Sequence, residues 1–161
     1  MQIYLLRHGI AEDGRPGGRD ADRALIPEGR KKLREVLRVA RDAGVMPEII
    51  LTSPYRRARE TAELAAGILG YKEELIESRS LIPLSTPQAA WEEIRVHKDA
   101  SQILLAGHEP LFSQLFAYLL HCPELQVEFK KGSLARIDLD SFPARPRGVL
   151  RWLLTPKLAS E

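Results

Sequence analysis

Three short apolar runs, each ending in a turn that carries polar side chains, constrain most strongly how this chain can fold. The runs cover residues 2–6, 48–52 and 102–106 and are dominated by isoleucine and leucine. Such runs predict strands that are buried on both faces of a sheet. Stretches with helical periodicity separate them, which predicts right-handed βαβ crossovers and a mostly parallel sheet. The predicted fold class is therefore α/β, with helices on both faces of the sheet in a three-layer α/β/α arrangement.

Four stretches have the periodicity of amphipathic helices. The first, residues 27–43, begins with a proline and is followed by Gly44. The second is expected to use Ser53 as its N-cap and Pro54 as its first helical residue, and to end near Leu69. The side chains predicted to face the core are Leu33, Val36, Leu37 and Ala40, then Ala58, Ala62 and Ala65, then Ala90, Trp91 and Ile94, and finally Phe112, Leu115, Phe116 and Leu119.

Shorter apolar pieces are predicted to complete the sheet. They lie near residue 75 and at residues 127–129, 134–139 and 149–154. Residues 12–22, by contrast, contain three glycines, one proline and many charged side chains. This composition predicts a loop.

The composition favours one domain over residues 1–161. A chain of 161 residues with 44% hydrophobic residues can bury a core, but it is too short for two ordinary catalytic domains. The single cysteine, Cys122, excludes an intrachain disulfide and a cysteine-based zinc site. Because none of the four histidines pair at the spacing of a metal motif, no metal site is predicted.

The first residues lack the features of a secretion signal, and no apolar run approaches the ~18 residues that a membrane span requires. A cytoplasmic protein is therefore expected. Its formal net charge is +2, but the charges are uneven: residues 1–60 hold 13 Lys/Arg against 9 Asp/Glu, residues 61–125 hold 4 against 9, and residues 126–161 hold 7 against 4. This pattern suits an anionic ligand near the N-terminal part. It is too mixed, with only 6% aromatic residues, for a nucleic-acid-binding surface.

Polar turns follow all three buried strands. They read Arg7-His8-Gly9, Ser53-Pro54-Tyr55-Arg56-Arg57 and Gly107-His108-Glu109. Ligands of open α/β sheets bind beyond the carboxyl ends of the strands, so these turns are expected to converge on one pocket. A guanidinium group can donate two parallel hydrogen bonds to the oxygens of a phosphoryl group, and an imidazole can attack phosphorus. The combination predicts phosphoryl chemistry.

These motifs, in this order and each at a strand end, resemble those of the histidine phosphatase superfamily, which has the phosphoglycerate mutase-like fold. The resemblance rests on Arg7-His8-Gly9, on the segment that begins at Ser53 and ends at Ala62, and on Gly107-His108. The compact length and the stretches 23–29 and 107–111 are most similar to the small bacterial SixA-type phosphohistidine phosphatases. The resemblance extends over almost the whole chain.

The resemblance implies roles for four residues, and it implies no cofactor. His8 would be the nucleophile that becomes transiently phosphorylated, Arg7 and Arg57 would hold the phosphoryl group, and His108 would be a second imidazole beside it. Elementary chemistry agrees, because neighbouring guanidiniums should lower the pKa of His8 and leave its ring neutral with a free lone pair. A protonated His108 would donate to the same phosphoryl oxygens.

Other polar residues receive weaker predictions. Gly9 is expected to let the backbone approach the ligand or to adopt a positive φ. Arg23 either lies near the site, as the resemblance implies, or belongs to a surface loop, and Arg56 is either solvated or lines the rim. Structural roles are expected for the rest: Ser53 as a helix cap, Thr61 packed on its own helix, and His97 and His121 at helix ends.

One departure from the superfamily bears on the substrate. Members that cleave phosphomonoesters use an acidic residue to protonate the leaving alkoxide, and the matching position here is Leu84. The imidazole of a phosphohistidine leaves readily without such an acid, so the sequence favours a phosphoramidate substrate. Glu12, Asp13 and Glu109 stay open as alternative proton donors.

The sequence therefore predicts a phosphohistidine phosphatase that acts through phospho-His8. Its partner would be a phosphohistidine-bearing protein, either a phosphorelay phosphotransfer domain or a phosphotransferase-system carrier. Two alternatives are kept: a small phosphomonoester phosphatase of the same superfamily, and a phosphoprotein-binding module without turnover. The presence of both His8 and His108 argues against the module, because binding alone would need only the arginines.

Overall fold

The computed structural model describes residues 1–160, which contain one six-stranded sheet with the strand order β3-β2-β4-β1-β5-β6. The strands are β1 (Gln2–Arg7), β2 (Ile49–Thr52), β3 (Ile76–Glu77), β4 (Gln102–Gly107), β5 (Leu134–Asp138) and β6 (Val149–Leu154). Strands β3, β2, β4 and β1 run parallel, whereas β5 is antiparallel to both β1 and β6. The predicted α/β fold with a mostly parallel central sheet is confirmed.

Five α-helices within residues 1–160 accompany the sheet. They are α1 (Pro27–Asp42), α2 (Arg56–Leu69), α3 (Pro87–Val96), α4 (Leu111–Leu119) and the short α5 (Pro156–Ala159), and two 3-10 helices cover Asp20–Asp22 and Arg79–Leu81. Glycines follow the first two: Gly70 caps α2 with φ 73°, and Gly44 lies just beyond α1 with φ 86°. Because glycine has no Cβ, it adopts this left-handed conformation without steric cost and ends a helix cleanly.

The helices form a layer on each face of the sheet. On one face, α1 and α2 pack against Tyr4, Leu6 and Leu104. On the other face, α3 and α4 pack against Ile3, Leu5 and other apolar residues of the sheet. Successive side chains of a strand point to opposite faces, so β1 and β4 need apolar residues at every position. This requirement explains their continuous apolar sequence.

The order of the strands also positions the polar turns. Strand β4 lies between β1 and β2, with Arg7 paired to Gly107 and Thr52 paired to Ala106. Because the three strands are parallel and in register, their C-terminal ends lie side by side. The turns that follow them therefore emerge at one edge of the sheet, as the sequence predicts.

Two predictions about secondary structure are wrong. Helix α2 begins at Arg56 with Tyr55 as its N-cap, because the Ser53 side chain accepts from Tyr55 N at 3.2 Å instead of capping the helix. Residues 127–129 form no strand. The Phe129 carbonyl accepts a hydrogen bond from the Arg7 side chain at 2.6 Å, so this backbone pairs with a side chain instead of a neighbouring strand.

None of the helices in residues 1–160 combines the length and the hydrophobicity that a bilayer crossing demands. Over the same residues, no three His, Cys, Asp or Glu side chains are grouped so that they could hold a metal ion. Cys122 is an exposed free thiol.

Candidate active site

Two histidines meet at the C-terminal edge of the sheet. His8 follows β1 and His108 follows β4, and the backbone N–H of His8 donates to the Gly107 carbonyl at 3.0 Å. The two ring centroids lie 5.1 Å apart. His8 is 5% exposed and His108 is 1% exposed. Adjacent parallel strands thus bring together the two imidazoles that the sequence singled out, and they do so with little access for water.

The hydrogen bonds of His8 define which ring nitrogen carries the lone pair. The Nε–H of Arg57 lies 3.3 Å from His8 Nε2, and a guanidinium can only donate, so Nε2 is the acceptor. Nδ1 then carries the proton and donates to the Gly9 carbonyl at 2.7 Å. This tautomer leaves Nε2 as the nucleophilic atom of the ring.

Gly9 has a packing role that the sequence did not predict. Its φ is not positive, so that part of the expectation is wrong. A Cβ at this position would lie 2.7 Å from Leu33 Cδ1 and 3.1 Å from the Gly29 carbonyl oxygen of α1. The Gly9 N–H donates to Thr61 Oγ1 at 3.2 Å and is therefore already bonded within the protein. A side chain here would crowd α1, because the turn packs directly against that helix.

Arg57 lies in the first turn of α2 and is almost fully buried, with 5% of its side chain exposed. Besides the Nε bond to His8, its Nη1 donates to the Asp20 carbonyl oxygen at 2.8 Å and its Nη2 donates to Asp20 Oδ2 at 3.1 Å. The guanidinium is also 5.2 Å from the centre of the Tyr55 ring. Contacts on several sides therefore fix the plane of this cation beside Nε2.

Arg7 ends β1 and provides a second cation. Its Nη1 donates to the Phe129 carbonyl at 2.6 Å, while its buried Nε has no hydrogen-bond partner among residues 1–160. A buried donor without a partner is costly unless something binds it. The Nε–H of Arg7 is thus a candidate donor to a bound anion.

His108 is held from two sides. Its Nε2 lies 2.8 Å from Ser53 Oγ, and its ring meets the Tyr55 ring edge-on at 5.2 Å between centroids. Its buried Nδ1 has no partner within residues 1–160. Ser53 therefore orients a site histidine, a role that its motif position alone did not reveal.

Burial is the main reason why both imidazoles are neutral. Burial, with smaller contributions from the charges of Arg57 and Arg7, lowers the pKa of His8 to about 3. Burial likewise lowers the pKa of His108 to about 2, with added repulsion from His8 and Arg57. The sequence led us to expect guanidinium charge as the cause for His8, but loss of hydration has the larger effect.

The structure resolves the two positions that were ambiguous between site and surface. Arg23 donates through Nε to Asp20 Oδ1 at 2.8 Å, so it joins the site through the same carboxylate that binds Arg57. Arg56 has 58% of its side chain exposed and approaches Glu60 at 3.7 Å. Arg23 therefore belongs to the site together with Arg57 and Asp20, whereas Arg56 is a surface residue nearby.

His97, His121 and Thr61 lie in the structural positions that the sequence predicts, and Thr61 makes one further contact. His97 is the C-cap of α3, and the exposed His121 lies in the turn after α4 with φ 54°. Thr61 Oγ1 donates to the Arg57 carbonyl at 2.7 Å within α2, as expected for a helix residue. It also accepts from Gly9, so it connects α2 to the His8 turn.

Two residues of the site escaped sequence analysis. Asp20 lies in a charged loop in which nothing local distinguishes it from the neighbouring Asp22. Lys131 lies next to Gly132, whose N–H donates to the carbonyls of Arg7 at 3.2 Å and His8 at 3.0 Å. The positive charge of Lys131 contributes to the lowered pKa of His8, in which burial dominates. Both residues come from loops whose position depends on the whole fold.

Leu84, which the sequence predicts to occupy the position of the superfamily's proton donor, carries no acid. Leu84 is 88% exposed. Of the alternatives, Glu12 is occupied at both oxygens, because it accepts from Ala24 N at 3.1 Å and pairs with Arg15 at 3.2 Å. Asp13 is exposed in the same loop.

Of the three alternative proton donors, Glu109 is the one that lies close to Arg7. Its Oε1 accepts from Ser113 N at 2.6 Å at the start of α4. Burial lowers the pKa of Arg7, and the carboxylate of Glu109 opposes that effect. Glu109 is thus a negative charge close to Arg7, with one oxygen engaged by the helix.

Comparison with known proteins identifies the family. The model of the histidine phosphatase superfamily (branch 1) matches residues 3–82. An uncharacterized protein of Picosynechococcus sp. is 37% identical over 113 residues, which cover 68% of this chain and 67% of that protein.

Solved structures share the whole fold. The protein histidine phosphatase SixA complexed with tungstate superposes with a TM-score of 0.87 at 24% identity, covering 98% of both chains. The α-ribazole phosphatase of Shigella flexneri superposes with a TM-score of 0.74 at 18% identity, covering 97% of both chains. The sequence match places the N-terminal motifs in one family, and the structural likeness extends its fold over the remaining residues. The chain therefore belongs to the histidine phosphatase superfamily and is a phosphatase.

Proposed function

We propose that this phosphatase removes the phosphoryl group from a protein phosphohistidine through a phospho-His8 intermediate. The observation that carries the proposal is the hydrogen bond from Arg57 Nε to His8 Nε2. It leaves Nε2 unprotonated, and it places a phosphate-binding cation next to that atom. The low pKa of His8 keeps the lone pair available at neutral pH.

In the first step, the Nε2 lone pair of His8 forms a bond to phosphorus while the P–N bond of the substrate breaks. The bonding electrons stay on the substrate's imidazole nitrogen, and because the other ring nitrogen already carries a proton, the ring leaves as a neutral imidazole. In the second step, water attacks phosphorus, the bond to Nε2 breaks, and inorganic phosphate leaves. Arg7 and Arg57 bind the phosphoryl oxygens through both steps.

His108 is proposed to support the same oxygens. Its ring lies 5.1 Å from that of His8, and its buried Nδ1 has no partner in the part of the chain described. The pKa of His108 is low in the free protein because the ring is buried and surrounded by positive charge. A bound phosphoryl dianion reverses this local charge and favours protonation, so His108 then becomes a donor.

The leaving group determines the choice of substrate. An alkoxide needs a proton as it departs, but the position for that donor holds the exposed Leu84. The imidazole of a phosphohistidine is a much better leaving group. This difference supports a phosphoramidate over a phosphomonoester, and the likeness to the protein histidine phosphatase SixA agrees with it.

We further propose that the partner is a phosphorelay phosphotransfer domain or a phosphotransferase-system carrier, and that the enzyme acts in the cytoplasm, where such carriers work. The RHG turn, Arg7-His8-Gly9, is expected to contact the transferred group, with Arg23 as an additional cation. Subcellular fractionation of tagged protein tests the proposed location.

The experiment offers two substrates in parallel: a histidine-phosphorylated phosphotransfer domain, and a panel of sugar phosphates, phosphoserine and nucleotides. We expect release of phosphate from the first at a much higher kcat/KM. Mass spectrometry after a quench that avoids acid should find phosphate on His8. Faster turnover of any phosphomonoester, or no phosphate on His8, contradicts the proposal.

A second candidate is a phosphomonoester phosphatase, because Glu109 places a carboxylate beside Arg7. The fold shared with the α-ribazole phosphatase is compatible with it. The Glu109→Gln variant separates the two candidates. It should lose phosphomonoester turnover if Glu109 is the proton donor, and it should keep phosphohistidine turnover if no donor is needed.

A further inference from the structure

Asp20 accepts three hydrogen bonds from Arg57 and Arg23, although it lies outside the sequence motifs. Its Oδ1 accepts from Arg23 Nε at 2.8 Å, and its Oδ2 accepts from Arg57 Nη2 at 3.1 Å. Its backbone oxygen accepts from Arg57 Nη1 at 2.8 Å. One residue thus connects the loop after β1 to the first turn of α2.

These contacts determine how Arg57 is held. The guanidinium is buried, and its Nη1 and Nη2 bonds both go to Asp20, while its Nε bond goes to His8. Because the group is planar, bonds at all three nitrogens define its orientation completely. The remaining N–H groups are then presented in a fixed direction to an incoming anion.

The same carboxylate sets the separation of two cations. Arg57 and Arg23 bind different oxygens of one carboxyl group, so their guanidiniums lie close together despite their like charge. Without a shared counter-ion, two neighbouring guanidiniums repel each other. Arg23 is additionally held through Nη1, which donates to the Glu12 carbonyl at 2.7 Å.

The neighbouring Asp22 offers a contrast within the same 3-10 helix. Its carboxylate pairs with Arg19 at 2.9 Å and 3.0 Å, and both side chains are largely exposed. The two aspartates have the same chemistry and nearly the same place in the chain. Only Asp20 reaches a residue of the candidate active site.

We propose that Asp20 is a positioning residue for phosphoryl transfer: its ionised carboxylate holds Arg57 and Arg23 in the orientation that receives the phosphoryl group beside His8. Partial burial favours a higher pKa for Asp20, but hydrogen bonds from Arg23 and Arg57 outweigh this effect and lower it. Asp20 therefore stays charged at neutral pH and acts as an acceptor, not as a proton donor.

If Asp20 competed with phosphate for Arg57 instead of orienting it, the affinity for phosphate would change in the opposite direction. If the carboxylate merely occupied the place of the phosphoryl group on Arg57, its removal would free the guanidinium and tighten the binding of phosphate. If it orients the guanidiniums, its removal weakens that binding. The affinity for inorganic phosphate therefore distinguishes the two roles by its direction of change.

The test compares Asp20→Asn with the matched control Asp22→Asn. Isothermal titration measures the Kd of inorganic phosphate, and steady-state assays with a histidine-phosphorylated domain give kcat and KM. We expect Asp20→Asn to weaken phosphate binding and to lower kcat/KM by about 10- to 100-fold, as is usual for residues that orient an active-site group. Asp22→Asn should stay within about twofold of the wild type, because exposed ion pairs contribute little.

A double-mutant comparison shows whether Asp20 acts through Arg57. In an Arg57→Ala background, Asp20→Asn should weaken phosphate binding much less than it does in the wild type. Thermal unfolding should change little, since 56% of the Asp20 side chain is exposed. If Asp20→Asn does not fold, Asp20→Glu keeps the charge and should show the same direction of change with a smaller size.

Phosphate affinity at or above the wild-type level in every folded Asp20 variant overturns the proposal, and so does an equal effect of Asp22→Asn. The inference rests on the proposed roles of Arg57 and Arg23 in the phosphatase. Turnover of phosphohistidine by the wild type tests those roles, whereas phosphate binding by the variants tests Asp20. The two failures are therefore distinguishable.

Discussion

The floor and the rim of the candidate site are built in different ways. The floor consists of the turns after β1, β2 and β4, in which His8, Arg57 and His108 are each at most 5% exposed. The rim consists of Asp20 and the loop around Lys131, and both carry exposed charges. Burial gives the floor its chemistry by removing water from imidazoles, while the rim contributes charge that solvent partly screens. Substitutions in the floor should therefore cost more than substitutions in the rim, and within the rim Asp20, which orients Arg57, should cost more than Lys131, which contributes only charge.

The largest effect is expected from His8→Ala, which removes the nucleophile. Phosphohistidine turnover should fall by at least about a thousandfold, because no other group can form the covalent intermediate. Stopped-flow or discontinuous phosphate assays measure the loss, and His97→Gln at the end of α3 is the control. Substantial turnover by His8→Ala would show that the floor does not supply the nucleophile.

Arg57→Ala should be next in size, with a fall in kcat/KM of about 100- to 1000-fold. The reason is the loss of a buried, oriented cation beside the transferred phosphoryl group. Its neighbour Arg56 is the control from the exposed surface, and Arg56→Ala should stay within about threefold of the wild type. Equal losses at the two positions would erase the distinction between buried and exposed arginines.

Stability should depend on pH through the buried imidazoles. The unfolded chain binds protons below pH about 6.5, whereas folded His8 resists protonation until about pH 3. The stabilisation is therefore complete above pH 6.5 and is lost as the pH falls towards 3. Each such histidine contributes up to about 1.4 kcal/mol per pH unit to this loss.

Urea unfolding at pH 7, 6 and 5 measures this dependence, with pH values chosen around the unfolded-state pKa of His. The His8→Gln variant should show a flatter decline than the wild type. The exposed His121 is the control, and His121→Asn suits its left-handed backbone at φ 54°. A slope that His8→Gln leaves unchanged would mean that His8 is not buried in its neutral form.

The smallest effect is expected at the rim. Lys131→Ala removes a positive charge near His8 and should raise the KM for a phosphorylated protein by about threefold at low salt. The adjacent Lys130, which pairs with Glu128 at 3.1 Å, is the matched control. The effect should shrink as the ionic strength rises. Identical salt-dependent effects of Lys130→Ala and Lys131→Ala would show that only the overall charge matters.

The main features of the fold can be predicted from the sequence. The apolar runs that became β1, β2 and β4 must be buried on both faces, and this requirement alone implies helices on both sides of a parallel sheet. The common position of the polar turns can also be predicted, because parallel strands end at a common edge of the sheet. The sequence therefore predicts that His8, Arg57 and His108 are neighbours.

Local signals were misleading where tertiary contacts compete for the same group. Ser53-Pro54 has the pattern of a helix start, but the serine hydroxyl accepts from Tyr55 N and also bonds to the buried His108, and the helix begins later. Residues 127–129 have the pattern of a strand, but the Phe129 carbonyl binds Arg7. In both cases, a buried partner distant in sequence takes a group that local structure would otherwise use.

The sequence by itself thus determined the strands, the helices and the residues at the strand ends, because burial and periodicity are local properties of the chain. The tertiary structure decided which loop residues complete the site. Asp20 and Asp22 are indistinguishable in the sequence, yet one binds Arg57 and Arg23 and the other binds Arg19 at the surface. A glycine at position 9 avoids crowding because α1 packs against its turn. Such choices depend on how distant segments meet, and only the folded chain defines that geometry.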